Sequence, residues 1–264
     1  MGHDSDAFSA ERDRAVRLLD IAPQLAEHLS ESQAQAARTA ILAEAIGIGR
    51  GPWDREAVAC RANHPFGAVV VSGLLARTVD IGGYPGLDVA GPGDVVGVGE
   101  LRHNTLPCGD SWIATVPTRI AVLDDRFLLA ARRWPRLVSA LFELLAEQRD
   151  RLMMQLVIAE QPRVEDRLLM LFWQLADRFG KVTPEGITIQ LALTHEALGR
   201  LIGARRPTVT LALRMLGERG AIERKADRSW LVKELPEDTA VTAAVLSEGT
   251  QPRPLQPEPL TAPS

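Results

Sequence analysis

The stretch THEALGRLIGARRPTVTLALRMLGERGAIERKADRSW, residues 194–230, decides how the rest of the chain is read. It divides at Gly203-Ala204-Arg205 into two short runs with helical spacing: Ala197, Leu198, Leu201 and Ile202, then Val209, Ala212, Leu213 and Leu216. Gly203 sits where the first helix must end and the chain must turn, in a left-handed conformation that glycine adopts at no steric cost. Gly199 leaves a small surface where the second helix crosses. This is the helix-turn-helix pattern, whose second helix enters the DNA major groove. Pro207 suits the first turn of the second helix, where its missing N–H would be unpaired. Thr208, Thr210, Leu211 and Arg214 are expected on or beside the face opposite Val209, Ala212 and Leu216. Arginine can grip guanine with two hydrogen bonds, and threonine can reach a phosphate or a thymine methyl. After Gly220, Ile222-Glu223-Arg224 and Ser229-Trp230-Leu231-Val232 flank Lys225-Ala226-Asp227-Arg228, a hairpin read as a wing.

Charge separates this reading from an ordinary helical hairpin. Residues 194–228 hold eight basic side chains against four acidic ones, while the whole chain of 264 residues carries a net charge of −4. A basic island on an acidic protein is the electrostatic footprint of a module that binds duplex DNA.

Working outward, the chain is long enough for two domains and a sizeable core. It has no run of eighteen apolar residues, and its start, MGHDSDAFSAERDR, lacks an apolar secretory core, so the expectation is a cytoplasmic protein with no membrane partner. Two cysteines, Cys60 and Cys108, are too few for a disulfide scaffold or a four-cysteine cluster. Residues 1–50 are expected to carry N-terminal helices, over residues 12–20 and 34–46. Residues 51–127 hold short β-branched segments broken by glycine, at 67–73, 74–81, 87–90, 95–98, 112–116 and 119–123, the pattern of a small antiparallel β-roll. Residues 128–161 form the longest helical run, with Leu137, Leu141, Leu145, Leu152, Leu156 and Ala159 at steps of four or seven and Gln148 interrupting them. Such a helix can face its own roll on one side and a twin helix on the other, which makes a homodimer the natural expectation. Residues 162–235 add one more amphipathic helix, a strand at 187–193 and the winged helix-turn-helix. The proline-rich residues 236–264 have the composition of a disordered tail. The fold class is therefore α+β.

This order of parts resembles the Crp/Fnr family of bacterial transcription regulators, over about residues 18–232. VEDRLLMLFWQLADRFG and LALTHEALGRLIGARRPTVTLALRMLGERGAI carry most of the likeness, with GPGDVVGVGEL and TVPTRIAVLDDRFLLAARRWP adding to it. The resemblance implies a cyclic-nucleotide-binding-like roll that controls two recognition helices, a dimer on a near-palindromic operator in double-stranded DNA, and RNA polymerase as a further partner. It also implies phosphate contacts at Thr194, His195 and, in the wing, Arg228. Arg206 matches the family's leading arginine, Pro207 stands in place of its common glutamate, and Leu211 in place of its second arginine. The familiar operator is therefore not transferred. Arg205, Arg206, Pro207, Thr208, Thr210 and Arg214 are the candidate reading residues, with Arg206 the main source of specificity.

The effector pocket implied by the family would involve Gly97, Gly99 and Glu100, then Cys108 and Gly109. Glu100 matches the glutamate that holds a ribose hydroxyl. Cys108-Gly109 stands where an arginine-serine pair grips the cyclic phosphate, which removes the charge a bidentate phosphate contact needs. Cyclic AMP is thus disfavoured, and no cofactor is assigned. Cys60 with His64 and His103 with Cys108 lack diagnostic metal spacing. A cupin-like metalloenzyme would need histidines that converge, and the five here are scattered, so no enzyme activity is expected. A third reading keeps the roll as a partner-binding platform with a winged helix that is only structural.

Overall fold

The computed structural model describes residues 15–60, 62–98, 106–191 and 193–233. Two sheets form the roll. One has five strands, β1 (Ala15–Arg17), β2 (Leu42–Ile48), β9 (Thr118–Leu123), β4 (Gly67–Ser72) and β7 (Val95–Val96), in that spatial order. The other has four, β3 (Gly51–Pro52), β8 (Gly109–Ala114), β5 (Leu75–Ile81) and β6 (Tyr84–Ala90). All pairings are antiparallel. Successive side chains of a strand point to opposite faces. Ala68, Val70, Ile120 and Val122 accordingly fill the space inside the roll with Leu75, Trp53 and Trp112. Val69, Ala121 and Leu123 point outward into a second cluster with Leu18, Phe127, Trp134, Leu137, Leu141 and Leu144.

The expected N-terminal helices are only partly present. Residues 15–17 are a strand, α1 spans Leu18–Ile21, and α2 spans Glu31–Ala40 behind a capping box at Ser30 and Gln33. The predicted helix then fails at Leu42. Residues 42–48 form β2, whose Ile48 faces the inside of the roll while Ala43 packs in the outer cluster, and which pairs with β1 and β9. The roll therefore begins before residue 51. Alanine is a strong helix former, and here the tertiary pairing overrides that propensity. A short helix α3 (Arg55–Ala59) follows β3, capped by the Asp54 carboxylate.

The long helical run is divided. Helix α4 (Asp125–Ala131) is capped by Asp124, whose carboxylate accepts from the N–H groups of Arg126 and Phe127. Helix α5 (Arg136–Ala159) starts after Pro135. Its leucines serve two faces. Leu137, Leu141 and Leu144 are buried against the roll, whereas Phe142, Leu145, Leu152 and Leu156 are exposed.

Helix α6 (Val164–Phe179) opens the C-terminal unit and buries Leu168, Leu169, Leu171, Phe172, Leu175 and Ala176. Helices α7 (His195–Ile202) and α8 (Arg206–Glu218) pack on it. A four-stranded sheet in the order β10 (Gly180–Thr183), β11 (Gly186–Ile189), β13 (Trp230–Val232) and β12 (Ile222–Arg224) closes the unit. The Trp230 ring lies 4.9 Å from that of Phe172, which anchors the wing to α6. The expected strand at 187–193 is shorter, and β10 pairs with it as a hairpin.

Candidate nucleic-acid interface

The turn between α7 and α8 is fixed by backbone sterics. Gly203 has φ +67°, and the Ala204 N–H donates to the Gly199 carbonyl at 2.8 Å. A Cβ on Gly199 would stand 2.4 Å from the Ala204 carbonyl oxygen, so only glycine permits this approach. Thr194 caps α7, its hydroxyl accepting from the Ala197 N–H at 3.1 Å. Val209, Ala212 and Leu216 of α8 are buried, which holds the helix at one angle and turns its other face to solvent. Arg205, Arg206, Pro207, Thr208, Thr210, Leu211 and Arg214 are all exposed. The sequence-predicted reading face is therefore one contiguous surface.

His195 and Thr210 join α7 to this face. The Thr210 hydroxyl donates to the Arg206 carbonyl at 3.0 Å, and the same oxygen lies 2.9 Å from His195 Nδ1. With its single proton committed to Arg206, Thr210 can only accept from the ring, so Nδ1 carries the hydrogen. Burial, followed by the nearby Arg224 and Arg206 charges, lowers the His195 pKa from its ordinary value. In its neutral form His195 therefore keeps Nε2 as an acceptor. A cleft of about 520 Å³ runs beside it, with Arg214, Arg224 and Lys233 in its wall.

In the wing, Arg228 is exposed and sits at φ +69°, a conformation uncommon for a side chain other than glycine. The loop around it is tied by Asp227, which accepts from the Ser229 N–H at 2.9 Å and from its hydroxyl at 2.6 Å. Those two hydrogen bonds hold the Asp227 carboxyl below its ordinary pKa. Arg224 lies over the Trp230 ring at 5.2 Å.

The unit is docked on the roll by contacts that the sequence did not signal. Asp94, buried at the roll's edge, pairs with Arg151 of α5 at 2.7 Å and with Arg178 of α6. Gln155 of α5 donates to the carbonyls of Leu87 in β6 and Leu201 in α7, at 3.1 and 3.0 Å. Leu74 and Val89 of the roll belong to the same apolar cluster as the C-terminal unit. Within the roll, Asp110 pairs with Arg55 at 2.8 Å and Arg77 at 3.0 Å, and both guanidiniums lie over the Trp112 ring.

Of the residues expected at an effector pocket, Gly99 and Glu100 fall outside the described residues, as do His103 and the tail from residue 236. Gly97 borders a cavity between the roll and α5. Cys108 is half-buried just before β8, and Gly109 opens that strand opposite Asp80. Among the described residues no group of three histidine, cysteine, aspartate or glutamate side chains could hold a metal ion. No helix among them is long and apolar enough to cross a membrane.

A β-roll joined by a long helix to a winged helix-turn-helix defines the class. Residues 163–237 match the model of the Crp-like helix-turn-helix domain. The resemblance to the Crp/Fnr family holds at the level of the fold as well. A CooA mutant from Carboxydothermus hydrogenoformans is similar at TM-score 0.56 with 17% identity, over 86% of this chain and 95% of that one. FixK2 from Bradyrhizobium japonicum is similar at TM-score 0.54 with 15% identity, over 73% and 93%. OCPA-complexed CprK is similar at TM-score 0.51 with 18% identity, over 74% and 89%. No curated protein matches the chain.

Proposed function

We propose that this chain is a sequence-specific transcription regulator of Crp/Fnr type that binds a near-palindromic operator as a homodimer. The observation that carries the reading is the exposed face of α8. Arg205, Arg206, Thr208, Thr210 and Arg214 lie on the side of the helix turned away from buried Val209, Ala212 and Leu216. A helix seated by its apolar side and lined with arginine and threonine on the other has the chemistry of major-groove readout. Thr194, His195 and Arg228 surround it as candidate phosphate contacts. The exposed apolar side of α5 is the surface through which two copies pair, and the roll is the sensory part. RNA polymerase is the further partner this class of protein implies.

Selection of bound sequences from a random duplex pool tests the reading. An inverted repeat with half-sites about one helical turn apart supports a dimeric reader. A monomeric chain that enriches no sequence overturns it and leaves the roll as a partner-binding platform with a structural winged helix. Adding cyclic AMP to a parallel selection is expected to change nothing.

A further inference from the structure

The basic face of α8 and the wing is short of acids. Arg205, Arg206, Arg224 and Arg228 are exposed, and none of them forms an ion pair with a described residue. Arg214 and Lys233 hold one acid each, Glu218 at 3.3 Å and Glu223 at 2.7 Å, and both pairs lie at the surface, where such contacts hold weakly. The charges of Arg206 and Arg224 are both felt at His195, so α8 and the wing build a single positive field. Among these cations α8 also exposes two apolar side chains, Leu211 and Met215.

The chain leaves the C-terminal sheet at this field. Lys233 lies in the wall of the cleft of about 520 Å³ beside α8, together with Arg214, Arg224 and His195. Its N–H donates to the Ala221 carbonyl at 2.9 Å, which fixes the point of exit just beyond the end of α8. The residues that follow, 234–248, read ELPEDTAVTAAVLSE. They carry four carboxylates, Glu234, Glu237, Asp238 and Glu248, and no basic residue, with Leu235, Val241, Val245 and Leu246 between them. Charge and apolar character both match the face they leave from. Fifteen residues can extend to roughly 50 Å, whereas the thirteen of α8 span only about 20 Å. The segment can therefore run the length of the reading face. A tether this short holds its carboxylates at an effective concentration in the millimolar range, so even a weak contact competes with DNA.

We propose that residues 234–248 dock on the cleft and the exposed face of α8, where their carboxylates take the place of DNA phosphates and restrain binding to duplex. The inference rests on α8 being the DNA-reading face. Tail and duplex then exclude each other, and each lowers the apparent affinity of the other by the same factor.

Full-length wild type is to be compared with a full-length variant carrying Glu234→Gln, Glu237→Gln, Asp238→Asn and Glu248→Gln. Two readouts are taken: fluorescence anisotropy with a labelled duplex of random sequence, and, without DNA, the rate at which phenylglyoxal modifies Arg206, Arg214 and Arg224, followed by peptide mass. The variant is expected to bind duplex about tenfold more tightly at low salt, within the usual range of coupling between sites, with the gap closing as salt screens the charges. Its arginines are expected to react several-fold faster than those of wild type. Exchanging the two central acids, Glu237→Asp with Asp238→Glu, is expected to preserve wild-type behaviour in both. Tighter binding with unchanged arginine reactivity overturns docking, since the tail would then act only as repelling charge. Unchanged binding and unchanged reactivity overturn the proposal and leave the DNA reader standing. If neither protein binds any duplex, the DNA-reading assignment of α8 fails, and with it the restraint proposed here, whatever the arginines show.

Discussion

The turn between α7 and α8 and the junction between the C-terminal unit and the roll are held by opposite means. The turn is local. Gly199, Ala204 and Gly203 lie within six residues, and backbone sterics decide which residue types fit. The junction is assembled from Asp94, Arg151 and Arg178, which are up to 84 residues apart and held by charge. Local sterics leave a mark in the sequence, because few residues other than glycine satisfy them. A long-range ion pair leaves none, because any of the chain's many aspartates and arginines could have been partners. Altering the two regions in turn shows whether they differ in energy and in function as they do in construction.

The junction gives the largest expected effect. Asp94→Asn leaves Arg151 and Arg178 partly buried without their counter-charge, and removing one partner of such a group costs on the order of 3–5 kcal/mol. Urea denaturation is expected to show a separate early transition for the C-terminal unit, whose docking on the roll is lost first. A single transition with an unchanged midpoint would mean that the apolar contacts of Leu74 and Val89 hold the junction without the charges.

The turn comes next. Gly199→Ala places a methyl group against the Ala204 carbonyl, and overpacking of this kind costs about 1–3 kcal/mol. Here the helix-turn-helix angle changes while the junction stays intact, so operator affinity should fall more than the unfolding midpoint. Thr194→Ala removes only the cap of α7, worth about 1 kcal/mol. If it weakens DNA binding well beyond that loss, Thr194 also touches a phosphate.

The same contrast explains what could be read from the sequence. The exposed face of α8, the Gly203 turn and the wing hairpin follow from residues close in sequence, and all were legible, whereas the cap at Thr194 was not read. Strand β2 was not. LAEAIGI mixes alanine and glutamate in a way that favours helix, and only its pairing with β1 and β9 makes it a strand. The two faces of α5 were legible as one apolar stripe, but not which leucines met the roll. The arginines around Asp94 and Asp110 gave no signal, since nothing local sets Arg77 or Arg178 apart from other arginines.

Within the reading face, base contacts and backbone contacts should separate. Arg206→Ala is expected to cost about 1–3 kcal/mol at one operator position and to relax preference there. Arg228→Ala should weaken all sequences about equally and reduce the salt dependence of binding. An Arg206→Ala protein with unchanged operator preference removes Arg206 as the specificity residue.

The smallest effect concerns pH, and its sign follows from His195. The ring's pKa is already lowered in the free protein, and Nδ1–H is committed to Thr210. A DNA phosphate approaching Nε2 would favour the protonated ring, so binding takes up a proton and operator affinity rises as pH falls through the histidine range. One proton can change the affinity by at most about tenfold per pH unit. The free protein moves the other way. A histidine whose folded pKa lies below its unfolded value loses stability as pH falls below the unfolded value. Tighter operator binding at pH 6 than at pH 8, in a protein slightly less stable there, is therefore the expected combination. His195→Gln should abolish the pH dependence of binding. If it persists in that variant, the proton goes elsewhere and His195 serves only to hold Thr210 on α8.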